Sequence, residues 1–471
     1  MAELDLDLKH ADYTESQDLR EKARTLFAGE AAVMAAKTTY LFKTANETTA
    51  DYDIRLARAY YKNWSDTIIT ARQSLLWRKG PTRTLPDAIT EYIDDVDNGG
   101  LQADTFFANV LQDAQVDGLH FVLVDKSRIP EGTISKLDEK NAGVRTYFRS
   151  IAASNVYDWN IGADGKLLWA IIAQSTPSEE RQPGQEGATI NERLVWDRQN
   201  WTLYQNVDDE WQETASAVHG LGFVPLVPFY GNRLRMLRGE PITKDILQHV
   251  IALYNKSSDR DFAEFLCNNP KLWIVSQAKP AVIPAGSSNG VWLPAIQGIE
   301  QSLNYLEPSG VGIEASRKSE YDIVRSIVET GLRQARRDTA QVQAADSIKA
   351  ERREFSSSLV TVATLAERAE QQCWEFWAAW DGITATPETL AVSYNTDFDD
   401  DMITAEMMDR LSTMVSAGQL TNDTQLRILA EGEALPDDFD VDEEVKKLQS
   451  SASADTAAIL ASINTPTGDG A

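Results

Sequence analysis

Asp397, Asp399, Asp400 and Asp401 stand together in the run DFDDDM and are the first candidates for metal chemistry. Clustered carboxylates are what a two-metal nuclease uses to hold magnesium around a scissile phosphate. Here no Lys or His base accompanies them, and adjacent aspartates on one loop read more simply as solvated charge. The run DDVDNGG from Asp94 has the outline of a calcium loop, but its twelfth position is Thr105 rather than a bidentate acid. His10, His120, His219 and His249 share no ligand spacing; His120 falls in a strand pattern and His249 in a helix pattern, which suits structural roles. Cys267 and Cys373 sit on apolar helix faces as buried free thiols would, and two cysteines make neither a disulfide framework nor a zinc site. A GxxxxGKS/T phosphate loop, a GxSxG elbow and an HExxH helix are all absent from the sequence. Gly220-Leu-Gly222 is a bend before Pro225, not a dinucleotide fingerprint. The expectation is therefore no catalytic residue, no metal and no cofactor, in a protein that is not an enzyme.

Charge is more informative. The 471 residues carry a net charge of −27, which disfavours tight binding to a phosphate backbone. Between Asp397 and Glu444 there are fifteen acidic residues against Arg410 and Arg427, a balance of −13. Between Arg333 and Arg353 the sign reverses: Arg333, Arg336, Arg337, Lys349, Arg352 and Arg353 oppose Asp338, Asp346 and Glu351. So small an excess fits a solvated face; at a link between helices it is also a candidate nucleic-acid contact. Twelve Trp and 42% hydrophobic residues predict packed cores, and the length allows about two to four domains. No uncharged apolar run approaches a bilayer span and the start, MAELDLDLKHADY, has no signal pattern, which predicts a cytosolic protein.

The elements that must carry these residues follow from periodicity. Residues 15–77 read mostly as helix, with Ala57, Tyr60, Tyr61, Trp64, Ile68, Ala71 and Leu75 as one stripe. After the break WRKGPTRTLP comes a helix over Thr105 to Gln115, a turn at Asp117-Gly118 and a buried strand, Leu119 to Asp125. The texture to about residue 230 is β, with strands at Leu167 to Ala173, Arg193 to Trp196 and Trp201 to Tyr204. Pro177 to Gly187 reads as a polar loop, and GFVPLVPFYG as an edge or extended segment. Pro241 opens a helix that ends at Asn268, with Leu247, Val250, Ile251, Tyr254, Phe262, Phe265 and Leu266 on its apolar face. A Pro/Gly-punctuated insertion, Leu272 to Leu306, then leads to two long amphipathic helices between Gly310 and Gly382. The second takes its apolar residues from Ile348, Phe355, Leu359, Val362, Ala366, Ala369, Cys373, Trp377 and Trp380 and spans about 50 Å if unbroken from Asp346 to Trp380. Val392 to Tyr394 reads as a short strand, Ala405 to Ala417 as a helix, and Thr421 or Asn422 as the cap of another that ends near Gly432. Beyond Gln449 the expectation is a mobile tail with a weak helix at Thr456 to Ile463. The fold class is α+β, a scaffold rather than a catalyst.

In order, YDIRLARAYYKNWSDTIITARQSLLWRKGP (Tyr52 to Pro81), DGLHFVLVD (Asp117 to Asp125), VYDWN (Val156 to Asn160), GFVPLVPFYG (Gly222 to Gly231), DTAQVQAADS (Asp338 to Ser347), the terminal WDG and the acidic module from Asp397 resemble tailed-bacteriophage portal proteins. These are the head-to-tail connectors, and the likeness is to a branch catalogued as a phage family of unknown function. Residues 1–14 match nothing in that pattern. The resemblance implies a portal fold with long stem and wing helices, a mixed β wing, a small clip and a helical crown. It places the wing at 1–240 and 346–395, the stem helices at 241–268 and 311–334, the clip at 269–310, the tunnel loop at 335–345, and the crown and tail at 396–471. It further implies Arg333, Arg336, Arg337, Asp338, Thr339 and Gln341 beside the DNA channel, and Lys279, Ser287, Asn289 and Trp292 on the clip toward partners. The same arginines suit pairing with Glu329, Asp338 or Asp346 between subunits equally well. The implied partners are copies of itself in a ring of about twelve, double-stranded DNA, the terminase large subunit, head–tail adaptor or tail proteins, and the major capsid or scaffold protein, with no membrane. The implied place is the portal vertex of the virion, reached from the host cytoplasm during assembly. Another capsid or adaptor component, or a metal-dependent nucleic-acid enzyme built on Asp397 to Asp401, are the alternatives.

Overall fold

The computed structural model describes residues 5–128, 142–177, 184, 187, 189–268, 271–277, 291–294, 302–306, 311–331, 345–398, 405–416, 420–431 and 440–447. The chain divides into two units, Met1–Phe398 and Asp399–Ala471. The first begins with helices α1 (Ala11–Ala28), α2 (Glu30–Ala35), α3 (Thr49–Arg58) and α4 (Trp64–Leu76). The stripe from Ala57 to Leu75 is not one helix, contrary to its spacing. The backbone extends at Ala59 (ψ 141°), and Asn63 caps α4 by accepting the Asp66 N–H at 3.0 Å. A local cap overrides the apolar period. Ala57 and Tyr60 therefore face outward; Tyr61 and Ile68 of the stripe are buried as expected, and Tyr52 and Ala59, outside it, are buried as well.

Strand β1 (Thr82–Thr84) and the short α5 (Asp87–Thr90) lead to α6 (Ala103–Asp117). Gly118 then takes φ +85°, which a non-glycine residue resists, and a Cβ there would meet the Glu240 backbone at 2.3 Å. This turn sends the chain into β2 (Leu119–Lys126), β3 (Thr146–Ala152) and an antiparallel meander of β4 (Val156–Ile161), β5 (Leu167–Pro177), β6 (Thr189–Asp197), β7 (Asn200–Val207) and β8 (Glu210–Val218). Of the strands to this point, the sequence reading missed β1, β3 and β8. β8 is the exposed edge of its sheet, so no buried alternation marks it. β9 (Leu226–Tyr230) carries Pro228 and is, as expected, an edge strand, in the order β3-β2-β9.

β2 shows why its sequence is a continuous apolar run: both faces are covered. Val122 and Val124 point into a core with α6, while Leu119, Phe121 and Leu123 point into a second core with Trp159, Ile172 and Trp196 of the meander. A hairpin of β10 (Asn232–Arg235) and β11 (Arg238–Glu240) crosses the end of α6. There the Gly231 N–H donates to Gly118 O at 3.0 Å and the Ile242 N–H to Gln115 O at 3.1 Å. The α-helix expected from Pro241 starts only at Leu247, after a single 3₁₀ turn, Lys244–Ile246. The Ile242 N–H is spent on that crossing, while the Pro241 and Thr243 carbonyls accept from the Lys244 and Ile246 N–H groups in tight turns.

Helix α7 (Leu247–Asn268) leads to a small sheet of β12 (Lys271–Ser276), β13 (Val291–Pro294) and β14 (Ser302–Leu306), from which α8 (Val311–Gly331) returns. β12 is central, parallel to β13 and antiparallel to β14. Next, α9 (Ala345–Trp380) runs for 36 residues, about 54 Å, as its pattern without Gly or Pro predicts. Gly382 at φ +66° ends it, with the Ile383 N–H donating back to Ala378 O at 2.8 Å. Its Phe355, Leu359, Val362, Ala366, Cys373, Trp374 and Trp377 fill the core beneath α6, β2 and β9. β15 (Ala391–Ser393) pairs with β1.

Within that core Glu370 is wholly buried and fully engaged. It accepts from Arg83, from Trp374 Nε1 at 3.0 Å and from the Tyr394 hydroxyl at 2.6 Å, and Arg83 also bonds Asp104. Burial, reinforced by Glu370, pushes the Tyr394 hydroxyl far above its ordinary range. The second unit holds α10 (Ala405–Ser416) and α11 (Asn422–Glu431), the latter capped by Thr421 Oγ1, which accepts the Thr424 N–H at 3.2 Å. A short helix at 441–447, unmarked in the sequence reading, is tied to α11 by Arg427 and Asp442 at 2.8 Å.

Candidate functional site: a helix pair and the sheet that joins it

α7 and α8 pack together along an interface whose chemistry changes along its length. At the start of α7, residues three or four apart (Leu247, Val250, Ile251, Tyr254) are buried with Ile327 of α8 and with Tyr61 and Ile68 from the N-terminal helices. Gly331 ends α8 so close to α4 that a Cβ would meet Ile68 at 2.3 Å. Asn255 fixes α7 to the preceding layer: its side chain accepts the Phe42 N–H at 2.8 Å and donates to Tyr40 O at 2.7 Å. Arg55 of α3, buried, forks onto Glu47 with both bonds at 2.8 Å and reaches Asp259 of α7 at 3.4 Å.

Toward the small sheet the interface becomes ionic. Arg260 of α7 bonds Glu320 of α8 at 2.6 Å, Asp261 at 2.8 Å and the Tyr60 hydroxyl at 3.1 Å, with Glu264 at 3.7 Å. Arg317 of α8 completes the chain of charges through Glu264 at 3.1 Å and Glu314 at 3.2 Å. Burial opposes the Arg260 charge, but its bonds to Asp261 and Tyr60 and the field of Glu320 outweigh that and raise its pKa. Glu320 is pushed up chiefly by burial; Arg260 pulls it down, and Asp261 and Glu264 push it up again. The guanidinium of Arg58 lies 3.9 Å from the centre of the Phe265 ring near the end of α7. A cavity of about 280 Å³ opens between the two helices, lined by Tyr60, Lys62, Tyr254, Ser257, Glu320 and Tyr321 among others.

Of the site residues expected from sequence, Trp292 alone falls within the described residues. It stands on β13, half-buried, and its indole N–H donates to Ser276 Oγ on β12 at 2.9 Å. Arg333, Arg336, Arg337, Asp338, Thr339 and Gln341, and likewise Lys279, Ser287 and Asn289, lie outside the described residues. So do Asp399, Asp400 and Asp401; Asp397 is described, and its N–H donates to Asn395 Oδ1 at 3.1 Å. No cluster of three or more His, Cys, Asp or Glu side chains suited to a metal occurs among the described residues.

All four histidines have local work. His10 stacks on Trp159 with centroids 4.1 Å apart, His120 Nε2 meets Ser150 Oγ at 2.7 Å, His219 Nε2 donates to Asp197 O at 3.0 Å, and His249 Nδ1 donates to Asp245 O at 3.2 Å. The DDVDNGG run folds on itself, Asp97 accepting from the Gly99 and Leu101 N–H groups at 2.8 and 3.1 Å. Sequence reading missed Arg260, Glu320, Tyr60 and Tyr254. The only local signal was Arg260 with Asp261 and Glu264 one and four residues on; its partners Glu320 and Tyr60 lie 60 and 200 positions away.

Residues 244–381, which include both helices, the small sheet and α9, match a family described as "Domain of unknown function (DUF4055)". No curated protein matches the chain. Among solved structures the chain is similar to the neck of a native GTA particle computed with twelvefold cyclic symmetry, at 11% identity and a TM-score of 0.40 over 85% of this chain and 98% of that one. It is likewise similar to the neck of an empty GTA particle computed with sixfold symmetry, at 11% identity and a TM-score of 0.41 over 78% and 90%. Among the described residues no helix is long and apolar enough to cross a membrane.

Proposed function

We propose that this chain is a portal-type connector that assembles into a ring at a capsid vertex, through which phage DNA passes during packaging and ejection. The observation that carries the reading is the order helix, small sheet, helix, long helix: α7 and α8 run side by side, with β12–β14 inserted between them in sequence, and α9 braces the larger body. The ordered sequence likeness to portal proteins points the same way. In this reading α7 and α8 are the stem, β12–β14 the clip, residues 1–240 with 346–395 the wing, and residues 396–471 the crown and tail. A channel of this kind must conduct DNA without holding it, and a strongly acidic chain suits that, since each cation placed on a phosphate adds salt-dependent affinity. The stretch around Arg333, Arg336 and Arg337 would supply a narrow basic ring. Docking of the terminase large subunit and of adaptor proteins at the clip, around Trp292, belongs to the same proposal. The role is structural, not catalytic.

Negative-stain microscopy of the purified full chain tests it. Rings with a central hole are the expected result; their absence across protein concentrations and salt conditions ends the portal reading.

A further inference from the structure

The cavity between α7 and α8 contains polar atoms that nothing among the described residues answers. Glu320 is 8% exposed and gives Oε2 to Arg260, but its Oε1 has no hydrogen-bond partner among the described residues. The same holds for the hydroxyl of Tyr254, 3% exposed. A buried carboxylate oxygen without a donor is costly to a fold, so these atoms point to a partner from outside the described residues. Around these atoms Tyr60 and Tyr321 present half-open aromatic rings, and Val250, Leu253 and Val324 supply apolar wall.

The charges decide what fits. Glu320 shares a single arginine, Arg260, with Asp261 and Glu264. The other cations on the lining are already occupied: Arg317 by Glu264 and Glu314, and Lys62 by the Trp64 ring at 5.0 Å. An anion would meet the bare oxygen of Glu320. An apolar group would leave both polar atoms unanswered. Two tyrosine rings beside a free carboxylate oxygen form a receptor for a guanidinium or ammonium group.

We propose that this cavity receives an arginine or lysine side chain of a second copy of the chain, its head on Glu320 Oε1 and the Tyr254 hydroxyl and its stem along Tyr60 and Tyr321. The choice of partner rests on the ring reading above. It is favoured by α8 itself, which carries the acceptor Glu320 and exposes Lys318 on the same helix. In a head-to-tail ring, donors on one copy meet acceptors on the next, and the contact is repeated by symmetry.

Two measurements on the full chain test the proposal. Dispersed subunits are titrated with N-acetyl-argininamide and followed by NMR, and rings are diluted at increasing salt and followed by native mass spectrometry. Wild type should bind the probe, and Glu320→Gln and Tyr60→Leu should abolish that binding. Rings of either variant should fall apart at a protein concentration about tenfold higher than wild type, while circular dichroism of the subunits is unchanged. Should Glu320→Gln fail to fold, Tyr60→Leu decides. Absence of probe binding to wild type overturns the pocket chemistry. Binding with rings as persistent as wild type overturns the second copy as occupant. Binding by a wild type that forms no rings overturns both that occupant and the portal reading, and leaves a cation pocket of other use.

Discussion

Two buried glutamates, Glu370 in the aromatic core and Glu320 in the helix pair, have arginine partners and opposite degrees of satisfaction. Glu370 is 0% exposed; Arg83, Trp374 and Tyr394 donate to its two oxygens, and its neighbours Glu367 and Gln371 take up the backbone of Tyr394 and Val392 at 2.9 Å each. Every donor needed is supplied by the subunit. Glu320 has one oxygen answered and one without a partner among the described residues, in a cavity with two half-exposed tyrosines. The first arrangement finishes a fold and the second leaves room for something from outside. Burial alone does not separate a structural charge from a functional one; the hydrogen-bond account does.

The comparison breaks most directly at Glu370. Glu370→Ala leaves Arg83 buried against no counter-charge on α9 and should cost about 3–5 kcal/mol, read as a fall in the denaturant midpoint of the first unit. A loss under about 1 kcal/mol would mean that the network adds little to the fold.

His120 is an intermediate case, with Nε2 bonded to Ser150 and Nδ1 without a partner among the described residues. Burial is the main influence holding it down to about 4, with Asp113 pulling up and Arg24 pulling down. Below its ordinary value of 6.5 the unfolded chain takes up a proton that the folded protein refuses until about pH 4. Stability should therefore fall as pH drops from 6.5 to 4, by on the order of 3 kcal/mol, and this component should level off below. His120→Gln should flatten that part of the urea-midpoint profile relative to wild type; an unchanged slope would show that His120 titrates alike in both states.

Tyr254→Phe should have the smallest effect on the isolated subunit. Deleting an unanswered hydroxyl leaves stability unchanged or raises it by up to about 1 kcal/mol. A loss larger than that, by thermal or chemical unfolding, would show the hydroxyl to be engaged within the subunit and would remove the contrast with Glu370.

Much of the scaffold was legible in the chain. The apolar residues from Phe355 to Trp380 fixed the face of α9, because in a long helix without Gly or Pro the i, i+3, i+4 spacing has one geometric solution. LHFVLVD was legible as a strand buried on both sides, and Asp117-Gly118 as the turn that feeds it. Legibility failed where a neighbour or a local cap overrode the pattern. Asn63 split the expected stripe, the hairpin crossing at Gly118 delayed α7 to Leu247, and β8 had no buried face to mark it.

By itself, then, the sequence determined the long helices, the two-sided strand, the acidic balance and the absence of familiar catalytic motifs, since each depends on neighbours within a few turns or on composition alone. The tertiary structure alone decided which charges meet. Arg83 reaches Glu370 across 287 positions and Arg260 reaches Glu320 across 60. Such pairings have no periodic signature, because they depend on how whole elements pack. Whether a buried carboxylate ends fully satisfied or half bare is settled only by the last ångström of that packing.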